Sequence, residues 1–185
     1  MEKRVQTPST VLYPLPVVLV SCGSGPGANI ITLAWAGTLC SDPPIVGLGI
    51  RPSRHSYDLI REGGAFVVNL PSAAQVEQVD FCGLVSGRDT DKWAECGFTR
   101  HPGREVDVPA IAECPVNIEC SLEKVVELGT HHLFMGEVLA ILADVDVLDE
   151  DERLHPMEAE PVAYLNGEYR RIGELLGTFG FSKRG

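Results

Sequence analysis

Apolar residues along the chain occur mostly in short runs separated by turn-forming residues. Leu15 to Cys22 is apolar and rich in β-branched residues, and the stretch G-S-G-P-G follows it, which is typical of a strand and a turn. Asn29 to Thr38 is the expected return strand of that hairpin. Asp42-Pro43-Pro44 predicts a turn, because proline lacks an N–H donor and favours extended geometry. Ile45 to Ile50 then predicts a buried strand.

Three short helices interrupt the predicted strands. Ser53 has the side chain of a helix N-cap, and the helix after it is expected to end at Gly63-Gly64. A second helix opens at Pro71-Ser72 and runs through residue 81, and a third covers Asp91 to Cys96. Between the first two helices, the apolar run from Ala65 to Leu70 is another predicted strand.

The second half of the chain is dominated by β patterns. Pro115 to Leu128 and His131 to Leu148 are long β runs joined at Gly129-Thr130, and residues 117–123 alternate polar and apolar side chains. This alternation is typical of half-exposed strands, so the two runs predict a long antiparallel hairpin. Asn166-Gly167 is a strong turn signal and predicts a final hairpin of residues 163–165 and 168–172.

The whole pattern predicts a mainly β protein, a β-barrel with a few short helices. Many short strands separated by turns favour this architecture, while residues 97–113 look irregular. The length of 185 residues fits one domain, and we expect it to span residues 1–185.

Charge and cysteine content narrow the class of protein. The net charge of −11 disfavours nucleic acid and anionic membrane surfaces as partners. The sequence has neither an apolar run long enough for a transmembrane helix nor the apolar region of a signal peptide. None of the six cysteines forms a C-x-x-C pair, which argues against a zinc ribbon. Free thiols in a reducing cytoplasm are therefore expected.

A cationic cluster follows the predicted buried strand. Arg51, Ser53, Arg54 and Ser56 span the junction between this strand and the next helix. A helix start offers N–H donors and a partial positive charge, and arginine and serine add further donors for a phosphate. The alternative is that Ser53 only caps the helix and the arginines are solvated.

An aromatic residue and a histidine pair are further candidates. Trp35 follows the polar residues Asn29 and Thr32. It is either a buried core residue or a residue whose flat ring lies beside an aromatic ligand. His131 and His132 lie at a strand start, where a neutral structural histidine is the common state. His131 is alternatively a donor to a ligand carbonyl or phosphate. No third ligand at metal spacing accompanies them, so no metal site is predicted.

Two other segments have both a plain and a functional interpretation. Cys40 lies in the stretch T-L-C-S-D-P-P, between the candidate residues Trp35 and Arg51 in the sequence. It is either an inert packing thiol or a redox thiol. Ser86-Gly87-Arg88 and Asp91-Lys92-Trp93 form a basic loop that, taken alone, is expected to be solvated.

Taken together, these residues resemble the flavin reductase-like family, and within it most of all the flavoredoxins. The motifs occur in one order, from about Pro14 to the C-terminus. They are N-I-x-T-x-A-W, S-D-P-P, R-P-x-R-x-S-Y, F-V-V-N-L-P, S-G-x-D-x-D-K-W and G-x-H-x-L-F-x-G-E-V.

The resemblance implies a split β-barrel that binds FMN without a covalent bond, as a homodimer with two sites near the interface. The family's FMN contacts then fall on six positions: Asn29, Trp35, Ser56, Lys92, His131 and Tyr164. The predicted cofactor-binding set is completed by neighbouring residues, which are Thr32, Thr38, Cys40, Ser41 and Arg54.

The function implied is electron or hydride transfer through FMN. A flavoredoxin-type carrier that exchanges electrons with a redox partner protein is the first expectation. An NAD(P)H-dependent flavin reductase that supplies reduced flavin to an oxygenase is the alternative, and a flavin-storing or flavin-sensing protein is an alternative of another class. The chain shows no nucleophile–base pair, as expected where the cofactor supplies the reactive atom.

Overall fold

The structure is a computed structural model, and it describes residues 1–183, so the last two residues of the predicted domain lie outside it. The helices are α1 (His55–Gly63), α2 (Val76–Leu84) and α3 (Lys92–Cys96). The strands are β1 (Leu15–Pro16), β2 (Val18–Cys22), β3 (Asn29–Leu33), β4 (Ala36–Ser41), β5 (Pro44–Ile50), β6 (Ala65–Leu70), β7 (Arg100–His101), β8 (Ala110–Ile111), β9 (Val116–Glu127), β10 (His132–Ala143), β11 (Val162–Leu165) and β12 (Glu168–Arg171).

One antiparallel sheet of seven strands, in the order β3-β2-β6-β9-β10-β5-β4, forms the body of the molecule. Its two edge strands, β3 and β4, are consecutive in the chain. The two-residue link Ala34-Trp35 can join them only if the sheet curls until its edges meet, since a residue spans at most about 3.6 Å. At the meeting point, Gly49 N donates to Trp35 O at 2.7 Å. The predicted mainly β barrel with short helices is therefore confirmed.

The core fills the inside of this curled sheet. Phe66, Phe134, Leu48 and Ile50 are fully buried there. Gly136 on β10 lies directly against the Phe66 ring, and a Cβ at this position would overlap it. A second cluster lies on the other side of β2 and β3, where α2 and α3 pack; it contains Leu19, Ile30, Val79, Trp93 and Ile111.

Two of the predicted strands are each divided in the structure. The segment Asn29 to Thr38 is not one strand, because it bends at Ala34-Trp35 to pass from one sheet edge to the other. Leu15 to Cys22 divides into β1 and β2. Pro16 and Val17 carry the chain from a small sheet, in the order β1-β11-β12, to the main sheet.

The predicted cap of the first helix is wrong. Arg54 N donates to Arg51 O at 3.0 Å, and this turn places Ser53 one residue before the N-cap. Arg54 occupies the N-cap position, and within residues 1–183 no side chain caps α1. The prediction of a solvated basic loop is wrong for Lys92 and Trp93, which are buried in α3, whereas Arg88 is exposed in the loop before it.

The three predicted hairpins are confirmed, the first of them by the antiparallel pairing of β2 with β3. Strands β9 and β10 pair along most of their length, although β10 ends at Ala143 because residues 145–147 form a 3-10 turn. Asn166 and Gly167 adopt positive φ angles of 46° and 93°, as a two-residue hairpin turn requires. The irregular region contains the short pair β7–β8. Among the described residues, none of the helices combines the length and hydrophobicity that crossing a bilayer requires.

Candidate functional site

Two adjoining pockets lie where the sheet edges meet, between β3, the start of α1 and α2. The wide pocket has a volume of about 420 Å³ and the narrow pocket about 210 Å³. They share Ile31, Arg54 and Gly83, so one ligand can extend through both. A larger depression of about 810 Å³ beside residues 102–109 holds none of the predicted site residues.

An aromatic stack forms one wall of the wide pocket. The Trp35 and His131 rings lie with their centroids 4.3 Å apart, tilted by 43°. Gly49 faces Trp35, where a Cβ would lie only 3.1 Å from Trp35 Cβ, so the absent side chain lets the indole lie close to β5. Trp35 is 41% exposed, which contradicts simple burial and leaves part of its surface open to a ligand.

Arg51 and His131 are joined by a hydrogen bond within this wall. Arg51 Nε donates to His131 Nε2 at 3.2 Å. Burial, followed by the charges of Arg51 and Arg54, lowers the pKa of His131 below its ordinary value. Because Nε2 accepts from Arg51, this nitrogen is not the donor to a ligand that the sequence suggested. Arg51 was grouped with the phosphate residues, but it lines the wide pocket and not the narrow one.

Cationic and polar groups surround the narrow pocket. Asn29 Nδ2 donates to Ser56 Oγ at 2.8 Å, and both side chains are buried. Because Ser56 Oγ accepts this bond, its hydroxyl hydrogen remains available to another acceptor. Arg54, Arg88 and the first residues of α1 also line this pocket. This donor set, at the positive end of a helix, suits an anion such as a phosphate.

Lys92 forms the floor of the narrow pocket. Its Nζ donates to Ile30 O and to Cys82 O, each at 2.7 Å. An ammonium group has three N–H donors, so one remains for a ligand. Burial lowers the pKa of Lys92, and the effect of burial exceeds that of the neighbouring thiols. Sequence alone placed this residue in a solvated loop, and its position became clear only through the resemblance.

A pair of tyrosines from the last hairpin faces the wide pocket. Tyr164 and Tyr169 have ring centroids 5.6 Å apart, and Tyr169 Oη donates to Asp80 Oδ1 at 3.0 Å. Tyr164 was a predicted site residue. Asp80, Leu84, Tyr169 and Arg88 were not, because which side of each element faces the pocket depends on packing between distant parts of the chain.

Three predicted residues lie outside both pockets. Thr38, Cys40 and Ser41 are on β4, which runs away from the pockets along the sheet edge after the bend at Trp35. Within this chain they are not brought to the other site residues, and their contact with a cofactor stays a prediction. Thr32 lines the wide pocket, where its hydroxyl donates to Val79 O at 2.5 Å.

The cysteines contribute packing more than reactivity. All six are free, as the sequence suggested. Burial raises the pKa of Cys22 to about 11 and that of Cys114 and Cys120 to about 12, so these thiols stay protonated at neutral pH. Cys40 is half-buried and donates to Asp42 O at 3.4 Å.

The two pockets fit the parts of a flavin mononucleotide. The aromatic and apolar wall of the wide pocket suits a planar ring system, and the donors of the narrow pocket suit a terminal phosphate. Residues 1–183 contain no cluster of three His, Cys, Asp or Glu side chains placed to hold a metal ion.

Comparisons with known proteins agree with this fit. The flavin reductase like domain matches residues 10–173. Flavoredoxin of Desulfovibrio vulgaris (Miyazaki F) is 33% identical with a TM-score of 0.92, covering 99% of this chain and 100% of that one. Flavoredoxin from Methanosarcina acetivorans is 29% identical with a TM-score of 0.90 and the same coverage. The FMN-binding protein from Thermus thermophilus is 26% identical with a TM-score of 0.81, covering 96% and 99%.

These comparisons settle two of the sequence-based predictions. The curled seven-stranded sheet is the split barrel of flavin proteins, as predicted. The domain match covers nearly the whole chain, and the resemblance drawn from six short motifs is confirmed. The family and its structural neighbours indicate a flavin-related redox function. The chain belongs to the flavin reductase-like family.

Proposed function

We propose that this protein is a flavoredoxin-type redox protein that transfers electrons through non-covalently bound FMN. The observation that carries the proposal is the junction of the pockets at Arg54, which lines both. A ring in the wide pocket and a phosphate in the narrow one would place a single FMN across that junction. Two similar proteins are named flavoredoxins, and a third is named an FMN-binding protein.

The side chains around the pockets would bind and orient the flavin. Ser56 and Arg54 would donate to the phosphate, with the third N–H of Lys92 beneath it. Trp35 and Tyr164 would flank the ring system and exclude water from part of its surface. The flavin supplies the redox chemistry when bound, so the protein needs no nucleophile of its own.

A retained flavin is favoured by the narrow pocket. Asn29, Ser56 and Lys92 are each at most 5% exposed, so a phosphate there would meet ordered donors at little cost in side-chain entropy. The open side of the wide pocket favours the second candidate, an NAD(P)H-dependent flavin reductase. Trp35 and Leu84 are 41% and 74% exposed there, which leaves room for a second planar reactant.

We further propose a cytoplasmic homodimer. Six free thiols are compatible with a reducing compartment. Leu39, Leu139 and Ile141 are 48%, 44% and 60% exposed on the strands at and near the β4 edge, and large apolar side chains at a surface favour association. Thr38, Cys40 and Ser41 lie on this same edge, so a second copy would bring them close to an interface.

Flavin binding is tested first and electron transfer second. Purified protein is titrated with FMN, and quenching of flavin fluorescence measures affinity. Protein that neither carries nor takes up flavin would contradict the proposal. NADH and NADPH oxidation are then measured with and without excess flavin. A carrier shows slow nicotinamide oxidation and rapid reduction by a redox protein, whereas turnover that scales with added flavin identifies a reductase.

A third result would identify a protein that stores flavin without transferring electrons. Protein that binds FMN tightly but accepts electrons neither from nicotinamide nor from a redox protein would be a flavin-storing protein. That outcome would overturn the proposed electron transfer while leaving the proposed binding site intact.

A further inference from the structure

Arg51 is the cation of the wide pocket whose role the proposed binding site leaves open. It directly follows β5, and its guanidinium reaches across to His131, which lies 80 residues later in the chain. Arg54, three residues further on, reaches the narrow pocket as well. The two arginines of the R-P-x-R motif are therefore divided between different parts of the site.

The bond between Arg51 and His131 determines where the imidazole carries its proton. Arginine is always protonated and can only donate, so the 3.2 Å contact requires an unprotonated Nε2 on His131. The remaining nitrogen, Nδ1, lies 3.1 Å from Thr130 Oγ1. A proton on Nδ1 can be donated to that hydroxyl oxygen. Both ring nitrogens are then satisfied in a neutral imidazole with one defined tautomer.

The same bond fixes the orientation of the ring. His131 is held between Arg51 on one nitrogen and Thr130 on the other, with the Trp35 ring 4.3 Å away. Trp35 is in turn set by its close approach to Gly49. This chain of contacts shapes the aromatic wall before any ligand enters.

We propose that Arg51 is a positioning residue, which holds His131 as a neutral Nδ1–H tautomer and so preorganises the Trp35–His131 wall for a planar ligand. The identity of that ligand rests on the proposed function. The tautomer of His131 is a property of the flavin-free protein, so the role of Arg51 and the proposed function can be tested separately. Charged groups that line the pocket around His131 are Arg51, Arg54 and Asp80.

The test compares Arg51→Met, which removes the donor and the charge, with Arg51→Lys, which keeps the charge on a flexible stem. Nitrogen-15 NMR of the flavin-free protein reports the protonation of each His131 nitrogen, and a pH titration reports its pKa. FMN affinity is then measured by fluorescence quenching. Arg153→Gln is the control, because it removes an exposed guanidinium that pairs with Asp151 and lies outside both pockets.

In wild type we expect His131 to be neutral with the proton on Nδ1. In Arg51→Met the pKa of His131 rises toward its ordinary value, the Nε2–H tautomer appears, and FMN affinity falls roughly threefold to tenfold, as for one lost hydrogen bond. Arg51→Lys retains the lowered pKa but loses the single tautomer and the affinity. Arg153→Gln changes none of these.

A wild-type spectrum with the proton on Nε2 would overturn the proposal. So would unchanged tautomer and affinity in Arg51→Met. Full retention of both properties by Arg51→Lys would show that charge alone suffices and that Arg51 does not position the ring. Failure of wild type to bind FMN, with the expected NMR result, would instead overturn the proposed function and leave the role of Arg51 in place.

Discussion

Gly87 shows how little space separates the side chains of the narrow pocket. A Cβ at this position would overlap the amide oxygen of Asn29. Asn29 cannot easily retreat, because it is buried and its Nδ2 donates to Ser56 Oγ. The bare backbone at Gly87 therefore allows the Asn29–Ser56 pair to keep its geometry.

Replacing Gly87 by alanine is expected to displace Asn29 and disorder the pair. The cost in unfolding free energy should be about 1–3 kcal/mol, as for other overpacked sites, and FMN affinity should fall. Urea denaturation and flavin titration measure the two effects. Gly63→Ala is the matched control, since a Cβ there meets nothing within 4 Å. Equal behaviour of the two variants would show that Asn29 is free to move.

The phosphate role of Arg54 and Ser56 is tested by the double variant Arg54→Gln/Ser56→Ala. Losing a charge-assisted contact and a hydroxyl contact should weaken FMN binding by about 2–5 kcal/mol. Flavin titration gives the affinity. Arg61→Gln serves as the control, because it changes an arginine of the same helix whose partners, Asp58, Glu62 and the Tyr57 ring, lie outside the pockets. Unchanged affinity in the double variant would refute the phosphate site.

At the scale of elements, a polar contact at the protein surface joins the last hairpin to α2. Tyr169 on β12 donates to Asp80 on α2 and packs on Tyr164 of β11. Burial and the Asp80 carboxylate raise the pKa of Tyr169 from 10.0 to about 12. The folded protein therefore binds the phenolic proton more tightly than the unfolded chain does.

This shift predicts a pH-dependent contribution to stability. Since the folded pKa exceeds the unfolded one, the contribution is complete below pH 10 and is lost as the pH rises toward 12. We expect the stability difference between wild type and Tyr169→Phe to shrink over that interval, as measured by urea denaturation. Tyr13→Phe removes a phenol from the N-terminal segment as the control. Parallel pH profiles for wild type and Tyr169→Phe would contradict the prediction.

For the whole molecule, the exposed edge strand β4 is a candidate surface for the association of two copies. Edge strands with exposed apolar side chains tend to associate, and Leu39 lies on this edge strand. Leu39 also packs closely over Gly47 of β5, where a Cβ would lie 2.7 Å from Leu39 Cδ1. Leu39 therefore covers part of the neighbouring strand as well as the edge.

The proposed dimer should dissociate when charge is placed on this surface. Leu39→Glu/Ile141→Glu introduces two carboxylates that an interface would desolvate, which is costly. Sedimentation velocity should show a dimer for wild type and a monomer for the variant. Leu128→Glu is the control, because it adds a carboxylate at the exposed tip of the β9–β10 hairpin, away from the proposed interface. This variant should remain dimeric. A dimeric double variant would move the interface elsewhere.

Turns and strand identities followed from the sequence because they depend on local chemistry. Asn166-Gly167 and Asp42-Pro43-Pro44 restrict their own backbone angles, so the turns at these positions could be placed without tertiary information. The helix at Lys92–Cys96 was placed equally well. Ser53 was misplaced as a cap because the turn between Arg51 and Arg54 shifts the helix start by one residue.

The sequence by itself therefore determined the β class, the turns, the family and a set of polar residues suited to a flavin phosphate. Only the tertiary structure decided which of them face one another. Closing the curled sheet places Trp35 beside His131, brings Arg51 to His131, packs Lys92 against β3 and leaves Thr38, Cys40 and Ser41 of β4 outside the pockets. These relations join residues tens of positions apart, and local propensity carries no information about such contacts because strand order and packing set them.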